Sequence, residues 1–158
     1  MNETPSFLSA SRRLWLDVSG VFVVANIRGG CEYGERWHAQ GSLTHKQNVF
    51  DDFYGAARWL IDNGYTGHDQ LALEGQSNGG LLVGAALTQQ PELARAVVSS
   101  GGVYDMLRFE LQPNGSFTMT EFGTVKDRQQ FSVLYSYSPY HHVRAGATYP
   151  AVLLLAGT

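Results

Sequence analysis

Four short apolar runs, rich in β-branched side chains, divide the chain and predict β-strands. They lie at residues 20–27, 70–74, 96–100 and 151–156. The first run, Gly-Val-Phe-Val-Val-Ala-Asn-Ile, shows no alternation of polar and apolar positions, which predicts a strand buried on both faces. The last run is equally apolar and is followed only by Gly157 and Thr158.

Between these runs the apolar residues recur at helical spacing. The first predicted helix begins with Asn48 as its N-cap and ends at Asn63-Gly64. Polar and aromatic residues at 31–47 predict a loop before it. Further helices are predicted at 78–89, 106–109 and 126–135.

The alternation of strands and helices predicts an α/β fold with a mostly parallel sheet and helices on both faces. An interior-type strand stands at the chain's end, and residues 1–10 are polar and weakly patterned. We therefore interpret residues 1–158 as an internal portion of a single domain, truncated at both ends.

Composition narrows the class of protein. The 158 residues are 44% hydrophobic and 16% charged, with a formal net charge of −3, as expected of one globular domain rather than a disordered segment. The charge gives no basic surface for nucleic acid, and no apolar run reaches the roughly 20 residues of a membrane span. The single cysteine, Cys31, excludes an internal disulfide framework and leaves a cytoplasmic or periplasmic location open.

The strongest local motif is Gly-Gln-Ser-Asn-Gly-Gly at residues 75–80, between a predicted strand and a predicted helix. This is the context of a G-x-S-x-G nucleophile elbow, in which Ser77 stands on a sharp turn. Gly75 and Gly79 are expected where side chains would clash with that turn, and the Asn78 amide can donate to a developing oxyanion. The alternative is a glycine-rich turn with an incidental serine.

A second motif, at residues 26–38, follows the first predicted strand at its carboxyl end, where open α/β sheets place ligand-binding groups. Tyr33 can present a hydroxyl donor to an oxyanion. The alternative is a packed aromatic loop without a catalytic role. No His or Cys cluster has the spacing of a metal site, and no nucleotide-binding glycine motif is present.

Together these segments resemble the prolyl oligopeptidase family of serine peptidases. The resemblance extends from about residue 5 to residue 158. It is carried by residues 26–30, 32–34, 37–38, 48–53, 75–80, 105–109 and 137–139.

The resemblance implies an α/β-hydrolase peptidase domain, normally covered by a β-propeller, that needs no cofactor. Ser77 matches the family's nucleophile, and the Asn78 amide and Tyr33 hydroxyl match its oxyanion hole. Phe122 matches an aromatic residue of the pocket for the residue before the scissile bond. Thr118 stands where the family often has a tryptophan that stacks on proline, so strict specificity for proline is not implied. Cys31 and Gln76 also depart from the usual residues.

The resemblance places the triad's Asp and His beyond Thr158, so the isolated chain is expected to be inactive. His38, His141 and His142 are weaker candidates for a base within the chain. The expected function is serine-type cleavage of short peptides, after proline or a similar residue. The alternatives are an esterase or lipase of the same fold and a non-catalytic truncated product. Oligomeric state is left open.

Overall fold

A three-stranded parallel sheet forms the centre of the computed structural model, which describes residues 10–113 and 115–157. Its strands are β1 (Ala72–Gln76), β2 (Ala96–Ser100) and β3 (Ala151–Leu155), in the order β1-β2-β3. The register aligns their first residues, Ala72 with Ala96 and Ala96 with Ala151. The carboxyl ends of the strands therefore lie at one edge of the sheet.

Seven α-helices connect and flank the strands in the described residues. They are α1 (Ala10–Asp17), α2 (Glu35–Ala39), α3 (Gln47–Asp62), α4 (Asn78–Gln89), α5 (Gly115–Phe122), α6 (Arg128–Tyr137) and α7 (Pro139–His142). Two 3₁₀ turns, Leu43–His45 and Phe109–Leu111, complete the secondary structure. The predicted α/β class with a parallel sheet is confirmed.

Helix α4 packs directly on β1 and β2 because its residues are small. Gly80 approaches the backbone of Gly102 so closely that an added Cβ would stand 2.7 Å from the Gly102 Cα. Leu81, Val83 and Ala85 are fully buried beside it. Such burial of apolar surface supplies the main stabilisation of the layer.

A second group of apolar side chains packs α3, α5 and α6 into the same core as α4. Helix α3 buries one face, including Phe50, whose ring meets that of Tyr137 at 5.2 Å between centroids. Phe109 and Phe122 form a similar edge-to-face pair at 5.6 Å. The first pair joins α3 to α6, the second joins α5 to the 3₁₀ turn Phe109–Leu111, and all four rings belong to one hydrophobic core.

The opposite face of the sheet is more open in the described residues. Glu74 and Gln76 of β1 are exposed, and every residue of β3 is exposed. Helices are also expected on that second face. In the described residues, the helix that packs extensively against the strands is α4, which covers the first face. The apolar sequence of β3 thus forms an edge with uncovered side chains.

The strand predicted at 20–27 is wrong: none of the described residues in that segment is in a strand. Val21 and Val23 are exposed, which also contradicts burial on both faces. An apolar run becomes a strand only through pairing, and no described segment pairs with this one. Its backbone instead begins with a turn closed by the Gly20 N–H donating to the Trp15 carbonyl.

The remaining differences between the predicted and the observed elements concern only their ends and the short helices. The N-cap of α3 is Lys46 rather than Asn48, whose side chain lies inside the first turn and donates to the Gln40 carbonyl at 2.8 Å. The predicted stop at Asn63-Gly64 is confirmed. The loop expected at 31–47 contains α2 and a 3₁₀ turn, and α1, α5 and α7 were not predicted. The helix predicted at 106–109 is wrong: residues 106–108 form a turn that leads into the 3₁₀ turn Phe109–Leu111. Residues 1–9, expected to be weakly patterned, lie outside the described residues.

Candidate active site

Ser77 occupies the sharp turn between β1 and α4. Its backbone angles are φ 56° and ψ −115°, and only Ser19 and Leu43 share a positive φ among the described non-glycine residues. Such a conformation costs about 1–3 kcal/mol and persists only where surrounding contacts impose it. Here the Ser77 N–H donates to the Ser100 carbonyl at 2.8 Å, which fixes the turn to β2. The side chain stands exposed at the carboxyl edge of the sheet.

At two glycines of the motif an added side chain would clash with nearby backbone. They are Gly75, as expected, and Gly80 instead of Gly79. A Cβ on Gly75 would overlap the carbonyl oxygen of Gly79, so the expectation for Gly75 is confirmed. A Cβ on Gly79 would meet nothing within 4 Å outside its own helix, so the expected clash there is wrong. The second constrained position is Gly80, against Gly102.

Asn78 is the first residue of α4, which gives its backbone N–H no acceptor within the helix. The same N–H lies at the positive end of the helix dipole, beside Ser77. This arrangement can stabilise a negative oxygen next to the serine. The Asn78 side chain is engaged separately, since its Nδ2 donates to the Glu121 Oε1 at 3.2 Å.

Glu121 also binds a buried lysine. The Lys46 Nζ lies 2.6 Å from the Glu121 Oε1, and the Lys46 side chain is 1% exposed. Burial lowers the pKa of Lys46, while the negative charge of Glu121 opposes that shift. The Lys46 Nζ lies 5.0 Å from the centre of the Phe122 ring, so the cation also contacts an aromatic face.

His38 approaches the same carboxylate from α2. Its Nε2 lies 3.5 Å from the Glu121 Oε2, and its Nδ1 lies 2.7 Å from the Gly29 carbonyl oxygen. Because that carbonyl can only accept, Nδ1 is the donor. His38 therefore lies between the Gly29 carbonyl, to which it is hydrogen-bonded, and the Glu121 carboxylate, which its Nε2 approaches.

Tyr33 lies five residues before His38, in the turn that precedes α2. Its side chain is 68% exposed, and its ring meets the Trp37 ring edge-to-face at 5.1 Å. An exposed hydroxyl on a ring held by its neighbour is suited to meet a substrate. The packed aromatic loop and the oxyanion donor are compatible features of this segment.

The two residues expected in a substrate pocket both lie on α5. Phe122 is 4% exposed and packs edge-to-face on Phe109, so in this structure most of its ring belongs to the core. Thr118 is half-buried, and its hydroxyl donates to the Gly115 carbonyl at 2.8 Å. Phe122 follows Glu121 directly, which places it next to the Asn78 contact.

Four histidines have hydrogen-bond partners other than Ser77. They are His38, His68, His141 and His142. The His141 Nδ1 lies 2.8 Å from the Ser138 Oγ and 4.0 Å from an Asp105 oxygen, a grouping that resembles a triad in composition. Ser138 is fully buried and its Oγ also binds backbone at Met106, so this cluster is a structural anchor.

Asp52 has a role that the sequence did not indicate. It lies beyond the first turn of α3, and its carboxylate accepts from the Arg28 Nε at 2.8 Å and the Arg28 backbone N–H at 3.0 Å. The Arg28 side chain holds the pKa of Asp52 below its ordinary value, although burial opposes that shift. This pair fixes the carboxyl end of the 20–27 segment to α3.

Lys46 and Glu121 belong to no sequence motif that would mark them as functional. They are 75 positions apart, and each taken singly is an ordinary charged residue. Glu121 stands in the last turn of α5, where the helix dipole disfavours a carboxylate, but that signal exists only once the bounds of α5 are known from the structure.

The part of the chain that the structure describes contains neither a candidate metal site nor a candidate membrane span. Within residues 10–113 and 115–157, no three His, Cys, Asp or Glu side chains are grouped to hold a metal ion. No helix in this part of the chain has the length and apolarity to cross a membrane.

Comparison with known proteins gives consistent matches. The sequence pattern of the prolyl oligopeptidase family matches residues 6–158. A prolyl endopeptidase of Elizabethkingia miricola is 45% identical over 152 residues, which are 96% of this chain and 21% of that protein.

Solved structures give the same result. One from a study of two prolyl endopeptidases is 51% identical, with a TM-score of 0.90 over 92% of this chain and 22% of that one. Prolyl oligopeptidase B from Galerina marginata, bound to a 25mer macrocyclization substrate, is 40% identical, with a TM-score of 0.79 over 82% of this chain and 18% of that one. The chain thus spans about a fifth of the length of these relatives.

Proposed function

Because the chain belongs to the prolyl oligopeptidase family, we propose that Ser77 is the nucleophile of a serine peptidase that cleaves short peptides. The observation that carries this proposal is the backbone of Ser77, held at φ 56° between β1 and α4 with its side chain exposed. Ser19 shares the positive φ but lies between an exposed helix and an unpaired segment, whereas Ser77 combines this strain with a strand–turn–helix junction, a combination typical of functional sites.

In the proposed reaction, the Ser77 Oγ bonds to the carbonyl carbon of the scissile peptide while its proton passes to a histidine. The Asn78 N–H and the Tyr33 hydroxyl donate to the oxygen that becomes negative. Collapse of the intermediate breaks the C–N bond, the histidine returns its proton to the leaving amine, and water then hydrolyses the acyl-enzyme.

We propose that the histidine and its orienting aspartate come from chain outside these 158 residues. Two observations support this. The chain spans about a fifth of its relatives, and His38, His68, His141 and His142 are engaged with partners other than Ser77. The isolated chain is accordingly proposed to be inactive.

We propose cleavage after proline or a similarly compact residue, with Phe122 forming part of the pocket wall. The names of the relatives support the class of substrate. Thr118 offers a small side chain whose hydroxyl is already bound to Gly115, so this position provides no ring to stack on proline. The pocket is therefore expected to accept residues other than proline at a reduced rate.

The proposal is tested by comparing two substrates with the complete protein that contains this chain. A proline-containing peptide anilide should be hydrolysed, and Ser77→Ala should abolish that turnover. Ser136→Ala is the matched control, because Ser136 is an exposed serine whose hydroxyl binds only the Val133 carbonyl of its own helix. Hydrolysis of a simple carboxylic ester without cleavage of the anilide would favour an esterase instead.

A further inference from the structure

One carboxylate connects the three segments that surround the proposed oxyanion hole. The Glu121 Oε1 accepts from the Lys46 Nζ and from the Asn78 Nδ2, and its Oε2 faces the His38 Nε2. Glu121 itself belongs to α5, next to Phe122. Four elements of the fold thus meet at a single side chain.

The position of Glu121 is unfavourable for its own helix. A carboxylate in the last turn faces the negative end of the helix dipole. The helix alone therefore does not account for a glutamate there, whereas the contacts with Lys46 and Asn78 do.

The ion pair with Lys46 fixes the position of the Glu121 carboxylate. An ammonium group that is almost fully buried requires a charged partner at close range, because removal of that partner leaves an uncompensated charge. The 2.6 Å contact supplies the partner. Because Lys46 immediately precedes α3, this ion pair fixes Glu121 to the core rather than to a mobile surface chain.

The contact to Asn78 acts on the first proposed oxyanion donor. Holding the Asn78 side chain restricts rotation of the residue whose backbone N–H stands beside Ser77. Among the described residues, the Asn78 side chain has no other hydrogen-bond partner.

The contact to His38 acts on the second donor. His38 and Trp37 are neighbours in α2, and Trp37 supports the Tyr33 ring. Glu121 therefore lies between the element that carries Asn78 and the element that follows Tyr33.

We propose that Glu121 is a positioning residue that holds the two oxyanion donors, the Asn78 amide and the Tyr33 hydroxyl, at a fixed separation, with Lys46 as its buried counter-charge. The inference rests on the proposed function of Ser77. It assigns no contact between Glu121 and substrate; its effect passes through Asn78 and α2.

The test compares two double variants of the complete protein. Lys46→Met/Glu121→Leu removes both charges together, which avoids a buried unpaired ion, and removes every contact to Asn78 and His38. Lys46→Met/Glu121→Gln is equally free of buried charge but keeps an oxygen that can accept from the Asn78 Nδ2. Thermal unfolding confirms that each variant is folded.

We expect Lys46→Met/Glu121→Leu to lower kcat by about 10- to 100-fold with KM changed less than about threefold, because a misplaced oxyanion donor affects the transition state. The Gln variant should recover most of that loss. Affinity for a peptide aldehyde, which forms a tetrahedral adduct with a serine, should fall in parallel with kcat.

The contrary results are distinct. Equal kcat in the Leu variant and the wild type, or equal losses in the Leu and Gln variants, would overturn the positioning role. A rise in KM with unchanged kcat would also overturn it, by placing Glu121 in substrate binding. If the wild type shows no turnover that depends on Ser77, the proposed function itself fails before these variants are compared.

Discussion

Arg28 and Asp52 join the 20–27 segment to helix α3 through a two-pronged ion pair. The Arg28 Nε and Nη2 lie 2.8 Å and 2.5 Å from the Asp52 carboxylate oxygens, and the Arg28 backbone N–H adds a third bond. This segment, which pairs with no strand among the described residues, is thereby held at the end nearest the proposed oxyanion loop. Part of the geometry around Tyr33 therefore depends on a contact between two residues that are 24 positions apart.

We expect Asp52→Asn to destabilise the complete protein by about 1.5–3 kcal/mol, since hydrogen bonds to charged groups contribute about that much. Asp51→Asn is the control, because Asp51 is exposed and accepts only from Gln47 in its own helix. The measurement is the melting temperature of each variant. An equal effect of the two substitutions would contradict this role for Arg28.

The same pair predicts a pH dependence. Arg28 lowers the pKa of Asp52 in the folded protein, so the unfolded chain binds a proton at higher pH than the folded one. The stabilisation is therefore present above the unfolded pKa of about 4 and is lost as pH falls through the lower folded pKa. The difference in melting temperature between wild type and Asp52→Asn should shrink over that acidic range.

The two neighbouring glycines of α4 should respond oppositely to alanine. Gly80→Ala forces a Cβ against the Gly102 backbone and should destabilise the protein by about 1–3 kcal/mol, as overpacking does. Gly79→Ala meets no atom outside its own helix and should be neutral or stabilising by up to about 1 kcal/mol, from helix propensity. Thermal unfolding distinguishes them, and a larger loss for Gly79→Ala would contradict the packing described.

Tyr33→Phe in the complete protein should lower kcat by about 10- to 1000-fold with little change in KM. A hydroxyl that donates only to the transition-state oxyanion has that kinetic signature. Steady-state kinetics with a proline-containing peptide provide the measurement. A change confined to KM would mean that Tyr33 binds substrate in its ground state.

The 158-residue chain expressed alone should associate and should not hydrolyse peptides. All five residues of β3 are exposed, including Leu153 and Leu154, so an apolar strand edge is available for pairing between copies. Light scattering measures the association. A monodisperse monomer with cooperative unfolding would contradict the first expectation, and turnover abolished by Ser77→Ala would contradict the second.

Elements with strong local signals could be predicted from the sequence. The bounds of β2 and α4 agree with those expected, because each is an apolar run that ends at a polar or glycine-rich junction. The segment 20–27 has a similar composition but is not a strand, since pairing depends on neighbours that a local pattern does not contain. Short helices such as α5 have no regular apolar spacing to reveal them.

The candidate site likewise contains residues that a local sequence motif indicates and residues that only the folded structure brings together. Ser77 and the Asn78 amide follow from a contiguous motif, and the structure gives them the expected strand–turn–helix context. Lys46 and Glu121 could not be paired from the sequence, because only folding brings α5 against the start of α3. Their contact is a property of tertiary packing rather than of any motif.

The most direct test of the central claim is to treat the complete protein with a fluorophosphonate, which phosphorylates an activated serine. Trypsin should release the segment 59–95, in which Ser77 is the only serine. Mass spectrometry should find stoichiometric adduct at Ser77, with inhibition of peptidase activity in proportion to labelling. An active protein that is inhibited while Ser77 remains unmodified would contradict the assignment of Ser77 as the nucleophile.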